Sequence, residues 1–487
     1  MTRRVGLVLG ALAFLLLAFL DTPLRHDPEF GARPALAAAV AALMAIWWLT
    51  EALPIYVTAC VPLLAYPLIR VLGPTVSENV RGTVGAYIDP YIFLFAGGMG
   101  IAAAMQRWDL HRRIALGIMA TIGTRPERLL AGCLVATAAI SMWISNTATA
   151  AMMLPIGLAL LAQIEARHGG RRLQHFGMAL MLAIAYGANV GGIGTKIGTA
   201  PNAQFAGFAE RIGIEVSFLQ FLAVGFPFVL MFLPVVFAAL WRIARRDSIE
   251  GVPTSVIHEE LARLGLRKRE ESIVFAVFVA TALLWIFSKP LREGLAPLVE
   301  STFAWKLTSA HFEGGVAVLA ALVLLAWRSR RKAVLAPRSL RTVPWETLLL
   351  LGGGFAMAAG IQGSGLSAWI AGQLAVVRSF APFGQVLLAS LATVGLSAVA
   401  SNTATIAVML VVLKDAVAPH LRTTTLFAAT LAASCGFALP VGTPPNAIVF
   451  GSGYISIPRM ARTGVVLDLC AALLAAGWCW VIVRAVL

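Results

Sequence analysis

Charged residues are scarce in this 487-residue sequence: Asp, Glu, Lys and Arg make up 13% of it, about half the ~25% usual in soluble domains. Acidic residues are the scarcer sign, 23 against 38 Lys and Arg. They form no cluster of the kind that holds a metal for phosphate or prenyl transfer, and no nucleophile with a His partner or paired Asp marks an intramembrane protease. These absences argue against a membrane-embedded enzyme. No Asp, Glu or His pair inside an apolar stretch marks a proton relay, so proton coupling is not expected. His175 and His311 flank apolar stretches and read as solvated; Glu51 and Glu346, the acidic residues nearest span ends, read as interfacial. The five cysteines, Cys60, Cys133, Cys435, Cys470 and Cys479, lie in or beside apolar stretches without metal-ligand or disulfide spacing. They read as small packing residues.

Apolar residues are abundant, at 59%, and mean hydropathy is +0.84. This composition predicts an all-α polytopic membrane protein. The net charge of +15 is carried by arginines in short segments between apolar spans, as the positive-inside rule requires, and is not the footprint of a nucleic-acid binder. Residues 5–20 follow Arg3 and Arg4, and no small-x-small cleavage site precedes Asp21; they read as an uncleaved first helix with a cytoplasmic N-terminus.

The polar residues that do enter apolar surroundings come in pairs. SMWISNTATAAMMLP, from Ser141, recurs as SAVASNTATIAVML, from Ser397. GGIGTKIGTAPNA, from Gly191, has a counterpart in LPVGTPPNA, from Leu439. Gly97, Gly98 and Gln106 recur as Gly353, Gly354 and Gln362 at the same distance before their Ser-Asn-Thr triplets. Each half thus holds a Gly-rich helix, a Ser-Asn-Thr element and a Gly-Thr-x-Pro-Asn break. Interrupted apolar segments at matching positions of two repeats are the sequence mark of a secondary transporter's binding site.

The chain divides into a first helix and external loop (1–34), a first repeat (35–246), a cytoplasmic linker (247–271) and a second repeat (272–487). Arginines flank residues 129–165 on both sides, at Arg125, Arg128, Arg167, Arg171 and Arg172, so this segment is expected to enter and leave the membrane on the cytoplasmic side. It predicts a re-entrant hairpin with the triplet at its tip. The flanks of 384–418 are much less basic, which predicts a second hairpin entering from outside, as an inverted repeat demands. The total is about eleven transmembrane helices plus two hairpins. Irregular backbone survives at such tips only where protein or an aqueous cavity covers it.

Ser, Asn and Thr cap helix N-termini, where free amides and the helix dipole attract anions. Pro201, Pro444 and Pro445 interrupt a helix and start the next segment. Two tips and two breaks supply four half-helix N-termini, and the unwound carbonyls beside them suit sodium. Ser141 and Ser145, like Ser397 and Ser401, are four apart and are expected to share a helix face.

These motifs resemble the divalent anion/sodium symporter family of dicarboxylate, citrate and sulfate carriers, over nearly the whole chain after the first helix. The resemblance implies a homodimer in the bacterial inner membrane, with a scaffold domain and a transport domain that moves as an elevator. It implies that Ser145, Asn146, Thr147, Thr199, Ser401, Asn402, Thr403, Thr443 and Pro444 contact a small anionic substrate, a C4-dicarboxylate such as succinate, malate or fumarate. No cofactor is implied beyond sodium as coupling ion. One sodium would use Ser141, Ser145, Asn146 and Gly194 or Gly198; a second would use Ser397, Ser401, Asn402 and Gly442. The sequence departs from the family at Lys196, inside the first break where a neutral residue is usual, and at Ala200, where the second copy has Pro444. Two readings of Lys196 follow. Its ammonium replaces a coupling cation or meets substrate, which implies sodium-independent exchange, or it snorkels to an interface or cavity.

Overall fold

The computed structural model of the chain describes residues 2–247, 249, 255–329, 332–440 and 442–486. Part of the expected 247–271 linker, together with Arg330 and Arg331, lies outside the described residues.

The first half runs through α1 (Thr2–Phe19), α2 (Arg33–Thr50), α3 (Ile55–Ala59), α4 (Val61–Ile69), α5 (Val76–Tyr87) and α6 (Pro90–Arg107). It continues with α7 (Leu110–Ile122), α8 (Pro126–Ser141), α9 (Asn146–Arg167), α10 (Gln174–Gly192), α11 (Ala200–Arg211) and α12 (Phe218–Ala244). After the short α13 (Ser255–Arg263) come α14 (Arg269–Ile286), α15 (Ser288–Phe303) and α16 (Ser309–Ala326). A small hairpin, β1 (Arg328–Ser329) with β2 (Lys332–Ala333), leads to α17 (Trp345–Gly363) and α18 (Leu366–Gln373). The chain ends with α19 (Pro382–Val399), α20 (Asn402–Ala416), α21 (Arg422–Ala433), α22 (Pro444–Phe450) and α23 (Ile457–Val486).

Local chemistry fixes many of these boundaries. Asp89 accepts from the Tyr91 amide and Pro90 opens α6. Capping boxes start α5 (Thr75 with Glu78) and α12 (Ser217 with Gln220), each satisfying amides that the first turn leaves free. Pro126 and Pro382 open α8 and α19, where a missing N–H costs nothing.

Among the described residues, seven helices are long and apolar enough to cross a membrane, or up to nine if each bent pair counts as one span. The eleven spans read from sequence include interrupted pieces that this measure leaves out: α3 and α4 have 5 and 9 residues, α21 and α22 have 12 and 7. The sequence assigns no span to 289–303 and reads Ser367 to Val377 as a short amphipathic piece to which the span count is sensitive. They form α15, bent by 75° from α14, and α18, bent by 83° from α17.

The core is centred on α10, which is buried at every residue from Phe176 to Gly192. It packs against α8, α9, α12 and α22, and Tyr186 donates to the Phe437 carbonyl at 3.0 Å, joining the two halves. The halves also embrace reciprocally. A Cβ on Gly97 of α6 would lie 2.4 Å from the Ala317 backbone in α16, and one on Gly353 of α17 would lie 2.4 Å from the Ala59 carbonyl in α3. Only glycine allows so close an approach of backbones. The twice-occurring Gly pair thus packs each half's Gly-rich helix against a helix of the other half.

Candidate functional site

Each of the four polar motifs ends one helix and begins another. In the first half α8 stops at Ser141, residues 142–145 turn, and α9 begins at Asn146 with Ser145 as its N-cap, the hydroxyl accepting from the Ala148 amide at 3.4 Å. In the second half α19 stops at Val399 and α20 begins at Asn402 behind Ser401. Thr199 is the N-cap of α11, and Thr443 is that of α22, accepting from the Asn446 amide at 3.3 Å. Because a helix break separates Ser141 from Ser145, and Ser397 from Ser401, the expected shared face does not exist; each pair straddles a turn.

The four N-termini meet at one cavity of about 420 Å³. Its lining includes Ser145, Asn146, Thr147, Thr199, Ser401, Asn402, Thr403, Thr443 and Pro444, every residue that the family resemblance implies for substrate contact, with Gly198 and Gly442. Among the described residues the lining has no Lys, Arg or His. Positive potential there comes from amides and helix dipoles.

Side-chain amides hold both breaks open in the same way. Asn202 donates to the carbonyls of Gly192 and Thr195, ten and seven residues back, at 2.9 and 2.6 Å. Asn446 donates to Gly436 and Leu439, also ten and seven back, at 2.8 and 3.0 Å. Asn189 of α10, fully buried and on the cavity wall, donates to Thr443 Oγ1 at 3.0 Å and Asn446 Oδ1 at 3.3 Å. It pins the first half's central helix to the second half's break.

Beside each tip lies a cluster of oxygens. Ser141 Oγ lies 2.8 Å from both Asn146 Oδ1 and the Ala188 carbonyl, with one proton to share between them. The Asn146 oxygen stands 3.1 Å from the Ala188 carbonyl and 3.3 Å from that of Gly198. Turned over, the amide would present Nδ2 to the same three oxygens and donate to them. Hydrogen bonding alone favours the second setting; convergence of carbonyl, amide and hydroxyl oxygens on a hard monovalent cation requires the first. The second cluster repeats the pattern: Ser397 Oγ shares its one proton between Asn402 Oδ1, at 2.7 Å, and the Ala433 carbonyl, and Gly442 lies among the carbonyls of Ala398, Leu439 and Gly436. The donor chemistry of both clusters fits sodium. Of the two alternative loop glycines, Gly198 presents its carbonyl to the first cluster, whereas Gly194 packs against Met142.

Lys196 departs from both readings of it. Its side chain is fully buried and is absent from the cavity lining; Nζ donates to Glu313 Oε2 of α16 at 2.7 Å and lies 5.5 Å from the Tyr91 ring. It neither snorkels to an interface or to this cavity nor offers an unpaired charge to substrate. Glu313 is also fully buried, accepting from the Phe218 amide at 2.8 Å and from Ser288 Oγ at 3.1 Å.

The sequence reading missed Glu313, Asn189, Thr347 and the true place of Glu346. Glu346 and Thr347, at the start of α17, line the cavity, and Glu346 also borders a neighbouring cavity of about 330 Å³ with Arg3 and Glu51. His175 is not simply solvated: it pairs with Asp247 at 3.1 Å. Asn189 carried a signal, a lone amide in an apolar helix just before a break. Glu313 carried none, since its partner is 117 residues away.

Residues 7–486 match the family model described as "Sodium:sulfate symporter transmembrane region". The chain is 37% identical to the sodium-dependent dicarboxylate transporter SdcS of Staphylococcus saprophyticus over 95% of this chain and 88% of that one. It is 37% identical to SdcS of Staphylococcus aureus over 97% and 89%. Its fold is similar to that of the Alcanivorax borkumensis YdaH transporter, whose crystal structure is described as having an unusual topology: TM-score 0.54, 14% identity, covering 87% of this chain and 97% of that one. The chain therefore belongs to the sodium:sulfate symporter family and is an integral membrane transporter, not an enzyme.

Proposed function

We propose that this transporter carries C4-dicarboxylates such as succinate, malate and fumarate together with sodium, across a bacterial plasma membrane with its N-terminus in the cytoplasm. The observation that carries the reading is the convergence of four half-helix N-termini on one cavity whose lining, among the described residues, holds no basic side chain. A dianion seated there is held at its two ends by amides and hydroxyls of the Ser145-Asn146-Thr147 and Ser401-Asn402-Thr403 turns. Thr199, Thr443 and Pro444 close the sides.

Cations complete the balance. The oxygen clusters at Ser141, Asn146 and Gly198, and at Ser397, Asn402 and Gly442, each hold a sodium ion behind one tip, with Ser145 and Ser401 beside them. An ion there neutralises part of the anion's charge, so anion and sodium favour each other's binding. The pairing of Lys196 with Glu313 cancels its charge locally, which removes the reason for sodium-independent exchange. The names of the relatives support the same substrate and ion.

The hairpins and breaks, α8–α12 with α19–α23, form the body that moves as an elevator against a scaffold built from α2–α6 and α14–α17. Two copies of the chain assemble as a homodimer.

The test is uptake of a panel of labelled anions into proteoliposomes, with sodium or with an organic cation outside. Sodium-dependent, concentrative uptake of succinate that unlabelled malate and fumarate inhibit is the expected result. Saturable uptake with counterflow separates the carrier from a pore. Uptake of sulfate or citrate in place of all C4-dicarboxylates would overturn the substrate, and equal uptake without sodium would overturn the coupling.

A further inference from the structure

The Lys196 to Glu313 pair lies outside the cavity, yet it grips the loop that supplies the first cation cluster. Lys196 stands two residues before Gly198, whose carbonyl faces Asn146. Neighbouring backbone is held on every other side. Thr195 Oγ1 donates to the Met142 carbonyl, the Thr195 carbonyl accepts from Asn202, and the Gly198 amide donates to the Thr195 carbonyl at 3.3 Å. α12 closes from behind, where a Cβ on Gly225 would lie 2.6 Å from the Ile193 carbonyl. The Lys196 side chain is the one charged tether in this stretch, and it leads away from the cavity to α16.

Glu313 is built to receive it. Its two oxygens are shared among Lys196, the Phe218 amide that opens α12 and the Ser288 hydroxyl of α15, while its own carbonyl accepts from Trp285 Nε1 at 3.0 Å. A buried carboxylate satisfied on this many sides has a fixed position. Two more ion pairs join the same groups of helices: Arg211 at the end of α11 with Asp89 at the start of α6, 2.7 Å, and Glu215 after α11 with Arg292 of α15, 3.0 Å.

We propose that Glu313 is a positioning residue of the first cation site: through Lys196 it fixes the 194–198 loop so that the Gly198 carbonyl faces the Asn146 oxygen, and thereby sets sodium affinity. Glu313 touches neither anion nor sodium. The inference rests on the sodium-coupled reading above and adds to it a tether from the cation loop to α16. When α10–α12 move against α16 the tether is released, so a cation that binds best with the loop held favours the arrangement seen here.

The experiment compares wild type, Glu313→Gln and the charge-neutral pair Lys196→Met with Glu313→Gln, as full-length purified chains. In detergent, with no anion present, the melting midpoint is followed against sodium chloride at constant ionic strength. In proteoliposomes, half-saturating sodium and half-saturating succinate are measured. Half-maximal sodium is expected to rise about tenfold in both variants, the order found when support for a metal ligand is lost. Half-saturating succinate at saturating sodium should stay within about twofold. Should Glu313→Gln not fold, the neutral pair decides, since a buried ion pair replaced as a whole is commonly tolerated. A wild-type sodium midpoint in the neutral pair, or equal shifts for sodium and succinate, overturns the proposal. Sodium stabilisation of a wild type that takes up no dicarboxylate overturns the substrate reading, and the melting series then decides this one alone.

Discussion

Asn202 and Asn446, 244 positions apart in the numbering, make the same two reaches into their own chains, ten and seven residues back. Asn202→Ala takes the donor from the Gly192 and Ile193 carbonyls and Asn446→Ala takes it from the Gly436 carbonyl, whereas the Thr195 and Leu439 carbonyls keep the Gly198 and Gly442 amides. Each loss is expected to cost about 1–3 kcal/mol and to weaken sodium dependence more than expression. Melting in detergent with and without sodium checks this; an unchanged sodium shift in both variants would count against the amides as supports of the breaks.

Asn146 and Asn402 each meet a tip serine and line the cavity. Asn146→Ala and Asn402→Ala are each expected to reduce succinate uptake to background while leaving the elution profile on size exclusion unchanged. Wild-type uptake by either variant would remove that tip from the site.

Removing one partner of a buried ion pair strands the other. Lys196→Met alone is expected to destabilise the protein by about 3–5 kcal/mol, and adding Glu313→Gln should restore most of that loss. Thermal unfolding of the two variants side by side tests the coupling. Equal midpoints for both would mean that the stranded carboxylate finds another partner.

Glu346 is an exposed carboxylate on the wall of a cavity read as an anion site. Its charge opposes an arriving dianion by about 1 kcal/mol in a water-like dielectric. Glu346→Gln is therefore expected to lower half-saturating succinate about fivefold at low ionic strength, an effect that 0.5 M of an inert salt should shrink, on the order expected from screening. A rise in half-saturating succinate would show that the carboxylate serves the anion in some other way.

Asp247, after α12, accepts from the amides of His175 and Phe176 at 2.8 and 3.0 Å and from the His175 ring. Burial opposes its charge, but these bonds outweigh burial and hold the carboxyl below its ordinary value of 3.8. A depressed carboxyl stabilises the fold fully above that ordinary value and ceases to do so as pH falls through its own lower one. Melting midpoints measured down from pH 6 should thus drop below about pH 4 in wild type, and Asp247→Asn should start lower and lose that part of the drop.

What the sequence revealed followed the logic of apolar surroundings. Ser145, Asn146, Thr199, Ser401, Asn402 and Thr443 stand out because polar tetrads in a membrane chain need a reason and these occur twice; the structure brings them to one cavity. Relations across the chain left no such mark. Lys196 looked like a free charge because nothing near it in sequence could pair with it, and Glu313, alone near the start of α16, gave no hint of its partner. The face argument for Ser141 and Ser145 failed because periodicity assumes an unbroken helix, and the helix ends between them. α15 was missed for a related reason: its mixed composition marks neither a span nor a turn.

The reciprocal seating of Gly97 on Ala317 and Gly353 on Ala59 bears on biosynthesis. Synthesis from the N-terminus delivers α3 and α6 long before α16 and α17 exist, so the first half waits in the membrane with Gly97 of α6 and Ala59 of α3 both lacking their partners. Its final packing is set only when the last third of the chain arrives. A ribosome that stops early would leave no usable half-carrier, only a bundle without its counterpart.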